Sequence, residues 1–151
     1  MIFRDVLKLL ANDLGKRKAL ILMGARQVGK TTLLQELSKE WGNVLWLTGD
    51  ELETQKMFEN PTIARLKAEL SGVKILIIDE AQRLSNVGLG LKLITDHLPH
   101  IQLMVTGSSA FELSNKLNES LMGRTFEYKL YKLYPVSFAE MANYHTLRTE
   151  T

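Results

Sequence analysis

Short runs of apolar residues alternate along the chain with longer segments in which apolar residues recur every three to four positions. Continuous apolar runs are typical of strands buried on both faces of a sheet. The helical spacing between them predicts amphipathic helices that cover those faces. The pattern therefore predicts a three-layer α/β fold in which helices flank a central, mostly parallel sheet. The five predicted strands are residues 19–23, 43–47, 73–78, 101–105 and 126–131.

The predicted helices lie before, between and after these strands. They are residues 3–14, 31–41, 51–71, 84–98, 110–118 and 138–144. Asn60-Pro61 is expected to break the third helix and Pro99 to end the fourth, because proline has no amide hydrogen to donate. No linker divides the chain, so we predict one domain over residues 1–145 and a polar tail at residues 146–151.

The turn after the first predicted strand has the spacing of a phosphate-binding P-loop, or Walker A motif. It is Gly, four residues, and Gly-Lys-Thr. Glycines let the backbone turn so that several amide groups point at one centre, and the following helix adds the positive end of its dipole. Lys30 is expected to contact the β- and γ-phosphates, and the Thr31 hydroxyl is expected to bind Mg²⁺. The predicted nucleotide-binding residues are Gly24, Ala25, Arg26, Gln27, Val28, Gly29, Lys30, Thr31 and Thr32.

An acidic pair, Asp79-Glu80, directly follows the strongest apolar run, residues 73–78. Ligands of parallel α/β sheets bind at the carboxyl ends of the strands. We therefore predict that Asp79 holds Mg²⁺ from the side opposite Thr31, through water. Glu80 is predicted to activate the attacking water as a general base. Acidic residues also suit the start of a helix, but beside a P-loop the metal and base roles are favoured.

The strand at residues 101–105 ends in Thr106-Gly107-Ser108-Ser109. In P-loop ATPases with a catalytic glutamate, an extra strand lies between the Walker A and Walker B strands and presents a polar residue to the γ-phosphate. We predict this sensor role for Ser108, with Thr106 as the alternative. Ser108 or Ser109 also suits the N-cap of the next helix, and the two roles are compatible.

An arginine often neutralises the charge that develops during phosphoryl transfer. Arg26, Arg83 and Arg124 are the candidates. Arg124 is favoured because it follows the sensor segment and can reach its own or a neighbouring subunit's nucleotide. Gln82 is a weaker candidate for contact with the same water network.

The composition is that of an ordinary globular protein, with 45% hydrophobic and 24% charged residues. A net charge of +2 gives no independent support for a nucleic-acid partner. Disulfides and thiolate metal sites are excluded because there is no cysteine. No apolar run approaches the roughly 20 residues that span a bilayer, and the amino terminus lacks a signal-peptide pattern. We expect a cytoplasmic protein with no membrane partner.

Five segments together resemble the bacterial and archaeal ATPases of AAA domain family 14: GARQVGKTTLL, ILIIDEAQRL, TGSSAFEL, LMGR and YPVSFAEM. The resemblance covers residues 17–142. It implies a P-loop NTPase fold of the AAA type, with ATP and Mg²⁺ as cofactors. It also implies the roles given above for Lys30, Thr31, Asp79 and Glu80, and a sensor serine at Ser108. Family members usually continue into a second domain, so the tail is the expected truncation point, and self-association or that missing domain is an expected partner.

Two classes of function stay open. One is an Mg²⁺-dependent ATPase that binds ATP and releases ADP. The other is a nucleotide-dependent regulatory module with little hydrolysis, acting on nucleic acid or on a protein partner. A signalling GTPase is disfavoured, because the nearest match to its base-reading motif, residues 115–118, has Asn118 in place of the acid. A small-molecule kinase would need an acceptor pocket and an arginine-rich lid, and the sequence shows neither.

Overall fold

The five strands form one parallel sheet. The structure, a computed structural model, describes residues 12, 19–24, 34–36, 38–39, 42–108, 112 and 115–117, together with the backbone of residues 128–132. The strands are β1 (Ala19–Met23), β2 (Val44–Thr48), β3 (Ile75–Asp79), β4 (Gln102–Gly107) and β5 (Tyr128–Lys132). Their order in the sheet is β2-β3-β4-β1-β5, and each neighbouring pair is parallel. The predicted α/β fold with a parallel sheet is confirmed, and β4 lies between β1 and β3 as expected.

Four strands end later than the apolar pattern predicted. The apolar run of β3 stops at Ile78, yet Asp79 still pairs with Thr48 of β2. Thr106 and Gly107 likewise continue β4, where they pair with Leu22 and Met23. The ladder of backbone hydrogen bonds accepts polar side chains, so hydrophobicity alone places the strand ends too early.

Between β2 and β4, where every residue is described, the chain has three helices and one 3-10 turn. They are α1 (Leu52–Glu59), α2 (Ile63–Glu69), the 3-10 turn Ala81–Arg83 and α3 (Val87–His97). The predicted break at Asn60-Pro61 is confirmed, and Thr62 caps α2 by accepting a hydrogen bond from the Arg65 amide at 3.2 Å. No helix in these described parts of the chain is long and apolar enough to cross a membrane.

The helix predicted at residues 84–98 was placed too early, because it begins only at Val87. Glu80 has left-handed backbone angles, φ 50° and ψ 46°, which an α-helix cannot contain. The chain therefore passes through the 3-10 turn first, and Leu84 is completely buried without being helical. The predicted helices at 3–14, 31–41, 110–118 and 138–144 lie largely outside the described residues. Those of their residues that are described, apart from Lys39, are helical: residue 12, residues 34–36, and residues 38, 112 and 115–117.

Both faces of the three central strands, β3, β4 and β1, are buried. Successive side chains of a strand point to opposite faces. On one face, alternate residues of β1, β3 and β4 belong to a single core with apolar residues of α1, α2 and α3, such as Phe58, Leu66 and Leu91. On the other face, Leu20, Ile77 and Met104 are in register and completely buried. Since the central strands are buried on both sides, a site has to lie at their ends, and ligands of parallel α/β sheets bind at the carboxyl ends.

Candidate functional site

The carboxyl ends of β1, β4 and β3 lie side by side at one edge of the sheet, meaning the edge that crosses the strand ends. Gly24, the first residue of the P-loop, donates its amide hydrogen to the carbonyl oxygen of Gly107 at 3.2 Å. The next strand, β3, ends at Asp79. Neighbouring strands are about 4.8 Å apart, so the start of the P-loop, the Thr106–Ser108 segment and the acidic pair are within reach of one bound group.

The remainder of the P-loop lies outside the described residues. The same is true of the favoured arginine. Their predicted contacts with phosphate and Mg²⁺ stay predictions for this reason. The residues concerned are Ala25, Arg26, Gln27, Val28, Gly29, Lys30, Thr31, Thr32 and Arg124.

Hydrogen bonds from the neighbouring strand orient the Asp79 carboxylate. The Thr106 hydroxyl, which is completely buried, donates to Oδ1 of Asp79. The Glu80 amide donates to the same Oδ1 at 3.1 Å and to the Thr106 oxygen at 3.2 Å. The carboxylate of Asp79, at a strand end, is a hard oxygen ligand of the kind that Mg²⁺ prefers. The described part of the site therefore fits the predicted metal ion.

Glu80 is held in a strained and largely buried position. Left-handed backbone angles cost a residue with a side chain about 1–2 kcal/mol. The residue is only 8% exposed, and burying a carboxylate requires hydrogen-bond donors. Oε2 accepts hydrogen bonds from the Ser108 hydroxyl at 2.8 Å and from the Gln82 side-chain amide at 2.7 Å.

Gln82 closes a triangle of hydrogen bonds with Glu80 and Ser108. Its Nε2 also donates to the Ser108 oxygen at 3.0 Å. Gln82 is 4% exposed. Its Oε1 is buried and has no hydrogen-bond partner among the described residues. The predicted sensor serine thus lies directly on the predicted general base, and Gln82 joins the two.

Sequence reasoning missed Gly49, which lies beneath the acidic pair. The Gly49 amide donates to the Asp79 carbonyl oxygen at 2.8 Å. A Cβ atom at this position would lie 2.2 Å from the carbonyl oxygen of Glu80, so only glycine allows the β2 turn to pass so close. The signal was available, because Thr48-Gly49-Asp50 also follows a strand and parallel strands end at the same edge.

Lys116 was considered only as part of a guanine-binding motif, and its position indicates a structural role. Its ammonium group donates to the main-chain oxygens of Gln82 and Leu84, the latter at 3.2 Å. These bonds join the segment after β4 to the 3-10 turn. Lys116 therefore helps to hold the turn that carries Gln82.

Arg83 is the one arginine candidate that falls within the described residues. Its Nε lies 2.8 Å from Oδ1 of Asp50, and both side chains are about half exposed, at 48% and 49%. Exposed ion pairs of this kind contribute about 0–1 kcal/mol. The observed partner of Arg83 is thus a surface carboxylate.

Comparison with known proteins finds similar sequences over most of the chain. The model of the AAA domain family matches residues 16–142. An uncharacterised protein of Methanocaldococcus jannaschii is 33% identical over 147 residues, which cover 88% of this chain and 29% of that protein. An uncharacterised protein of Mycobacterium tuberculosis is 30% identical over 123 residues, which cover 80% of this chain and 26% of that protein. The chain thus spans less than a third of the length of these relatives.

Solved structures share the fold at low sequence identity. The Walker-type ATPase of Pyrococcus abyssi superposes with a TM-score of 0.67 at 19% identity, over 96% of this chain and 57% of that one. Drosophila ORC bound to DNA gives 0.57 at 13% identity, over 93% and 95% of the two chains. The Pif1 helicase of Candida albicans gives 0.58 at 18% identity, over 90% and 40%. At these identities the likeness is one of fold.

Proposed function

Because the chain belongs to the AAA domain family, we propose that it binds ATP with Mg²⁺ and hydrolyses it to ADP and phosphate. One observation carries this proposal: Asp79 ends a central strand and Glu80 follows it, only β4 separates that strand from the one that leads into the P-loop, and Ser108 at the end of β4 is hydrogen-bonded to Glu80. A metal-binding carboxylate, a buried base and a polar sensor are the groups that this hydrolysis requires.

Each residue has a defined part in the proposed reaction. Lys30 neutralises the β- and γ-phosphates, and the P-loop amides hold them. Glu80 accepts a proton from the water as the water oxygen bonds to the γ-phosphorus and the bond to the leaving ADP oxygen breaks. Thr31 and Asp79 would hold Mg²⁺, which would supply positive charge to stabilise the transferred group. Ser108 donates its hydroxyl hydrogen to the γ-phosphate.

A second candidate, a nucleotide-dependent regulatory module with little hydrolysis, is favoured by one specific observation. Oε2 of Glu80 already accepts two hydrogen bonds, and the only hydrogen of the Ser108 hydroxyl is directed at it. In this arrangement Oε2 of Glu80 is occupied, and the Ser108 hydrogen is directed away from a phosphate. We propose that a partner changes this arrangement, and the candidates are a second copy, the remainder of a longer protein, another protein or a nucleic acid.

Phosphate release from ATP and GTP by the purified chain, with and without Mg²⁺, tests the proposal. Glu80→Gln is expected to bind ATP but to release phosphate at least about 100-fold more slowly. Lys30→Ala is expected to lose both binding and hydrolysis. Glu69→Gln, which changes an exposed carboxylate on α2, is the matched control and is expected to behave as the wild type.

Two outcomes would contradict the ATPase proposal. Undiminished phosphate release by Glu80→Gln would show that Glu80 is not the base. Wild-type protein that binds ATP and releases no phosphate would instead favour the second candidate function, the regulatory module.

A further inference from the structure

Gln82 stands at the centre of the site without a part in the reaction proposed above. Its side-chain nitrogen has two hydrogens, and the structure directs one to Glu80 at 2.7 Å and the other to Ser108 at 3.0 Å. Lys116 holds its main chain by donating to the carbonyl oxygen. Both ends of the residue are thus held in place, and the amide is directed at the two groups that the proposed chemistry uses.

The orientation of the Gln82 amide follows from the charge of its neighbour. A side-chain amide can be placed with oxygen and nitrogen exchanged, so the choice rests on the hydrogen-bond network. The exchanged form would bring Oε1 to within 2.7 Å of a carboxylate oxygen of Glu80, and two acceptors at that distance repel each other. The nitrogen therefore faces Glu80, and Oε1 is left buried with no partner among the described residues.

Within the described part of the chain no donor reaches this oxygen, and that lack is a cost to stability. A buried acceptor without a donor loses its hydrogen bonds to water and gains none in return. A methionine of the same length would fill the space without that cost. The two hydrogen bonds that the amide donates are what glutamine adds at this position.

We propose that Gln82 is a positioning residue, which fixes the Glu80 carboxylate and the Ser108 hydroxyl relative to each other for hydrolysis. Ser108 has a single hydrogen and can give it either to Glu80 or to a phosphate, but not to both. Gln82 keeps a donor on Glu80 in either case. The general base thus stays oriented when Ser108 turns to the nucleotide. This inference rests on the proposed ATPase function.

The test compares Gln82→Met with Gln102→Met in the full chain. Gln102 is a half-buried glutamine at the opposite end of β4 from the site, so it controls for the loss of a side-chain amide. Gln82→Met also removes a donor from the buried Glu80 carboxylate, so we expect a melting temperature no more than about 4 °C below the wild-type value. We expect ATP affinity within about twofold and a kcat lowered by about 10- to 100-fold with little change in KM. Gln102→Met is expected to keep the wild-type kcat.

A double-mutant cycle tests whether Gln82 acts through Ser108. If the two side chains work as one unit, the loss of kcat in Gln82→Met/Ser108→Ala is at least about fivefold smaller than the product of the single losses. Single losses that multiply would show independent action and would overturn the inference. A melting temperature lowered by more than about 4 °C in Gln82→Met would make the role structural and would overturn it as well.

The outcomes also separate this inference from the function on which it rests. Wild-type turnover together with an unchanged kcat in Gln82→Met overturns the positioning role alone. A wild-type chain that releases no phosphate overturns the ATPase proposal and the positioning role together.

Discussion

Replacing Gly49 with alanine tests how the β2 turn supports Asp79 and Glu80, the predicted catalytic pair. The alanine Cβ would lie 2.2 Å from the carbonyl oxygen of Glu80, 3.1 Å from its carbonyl carbon and 3.3 Å from Cβ of Arg83. Real Cβ atoms essentially never approach another heavy atom within 3.0 Å. The nearest obstacle is main chain, which cannot rotate away as a flexible side chain can.

The distance between the added Cβ and the Glu80 carbonyl oxygen sets the expected loss of stability and of kcat. Restoring a contact of 3.0 Å from 2.2 Å requires a displacement of about 0.8 Å between the two segments. Overpacking of a close contact typically costs about 1–3 kcal/mol, which for a chain of this size lowers the melting temperature by about 3–10 °C. A misplacement of about 1 Å at a reacting group costs roughly 100-fold in rate. We therefore expect Gly49→Ala to lower kcat by one to two orders of magnitude.

The assay pairs thermal unfolding with Mg²⁺-dependent phosphate release, and Gly42→Ala is the control. A Cβ atom at Gly42 would meet nothing within 4 Å. That variant is expected to keep the wild-type kcat and to melt within about 2 °C of the wild type. Comparing the two separates the close contact at Gly49 from the general effect of an added methyl group.

Equal behaviour of the two variants would refute the reasoning. If Gly49→Ala melted and hydrolysed ATP as Gly42→Ala does, the β2 turn would not support Glu80. A lowered melting temperature with an unchanged kcat would mean that the contact stabilises the fold but does not position the base.

Two further substitutions test other contacts of the described structure. Gly90→Ala would place its Cβ 2.4 Å from Cε1 of the completely buried Phe58 ring, so we expect the free energy of unfolding to fall by about 1–3 kcal/mol. Adding Phe58→Leu to the same chain is expected to restore part of that stability in thermal melts, and losses that simply add would argue against this contact. Thr106→Val removes the hydroxyl that donates to Asp79, so we expect the free energy of unfolding to fall by about 1–2 kcal/mol and half-maximal phosphate release to require a higher Mg²⁺ concentration. An unchanged Mg²⁺ requirement would show that Thr106 does not support the predicted metal site.

The sequence was sufficient to predict the layers and the edge on which the site lies. Apolar runs, helical spacing and proline positions are local signals, and they predicted β1 with its observed bounds and the break at Asn60-Pro61. The rule that parallel strands end together then placed Asp79 and Ser108 at one edge. The catalytic roles of these residues are predictions that phosphate-release measurements have to test.

The sequence could not show which side chains touch at that edge. Gln82 and Ser108 are 26 positions apart, and Thr106 and Asp79 are 27 apart. Gly49 and Glu80 likewise approach from different strand ends. These contacts depend on the strand order β2-β3-β4-β1-β5 and on the left-handed turn at Glu80.

Residue types and their spacing thus determined the fold class and the chemistry that this edge can offer. Only the tertiary structure decided that Ser108 and Gln82 both donate to Glu80 and that Gly49 passes beneath it. The physical reason is that periodicity acts along the chain over a few residues, whereas hydrogen bonds across a sheet edge depend on which strands become neighbours.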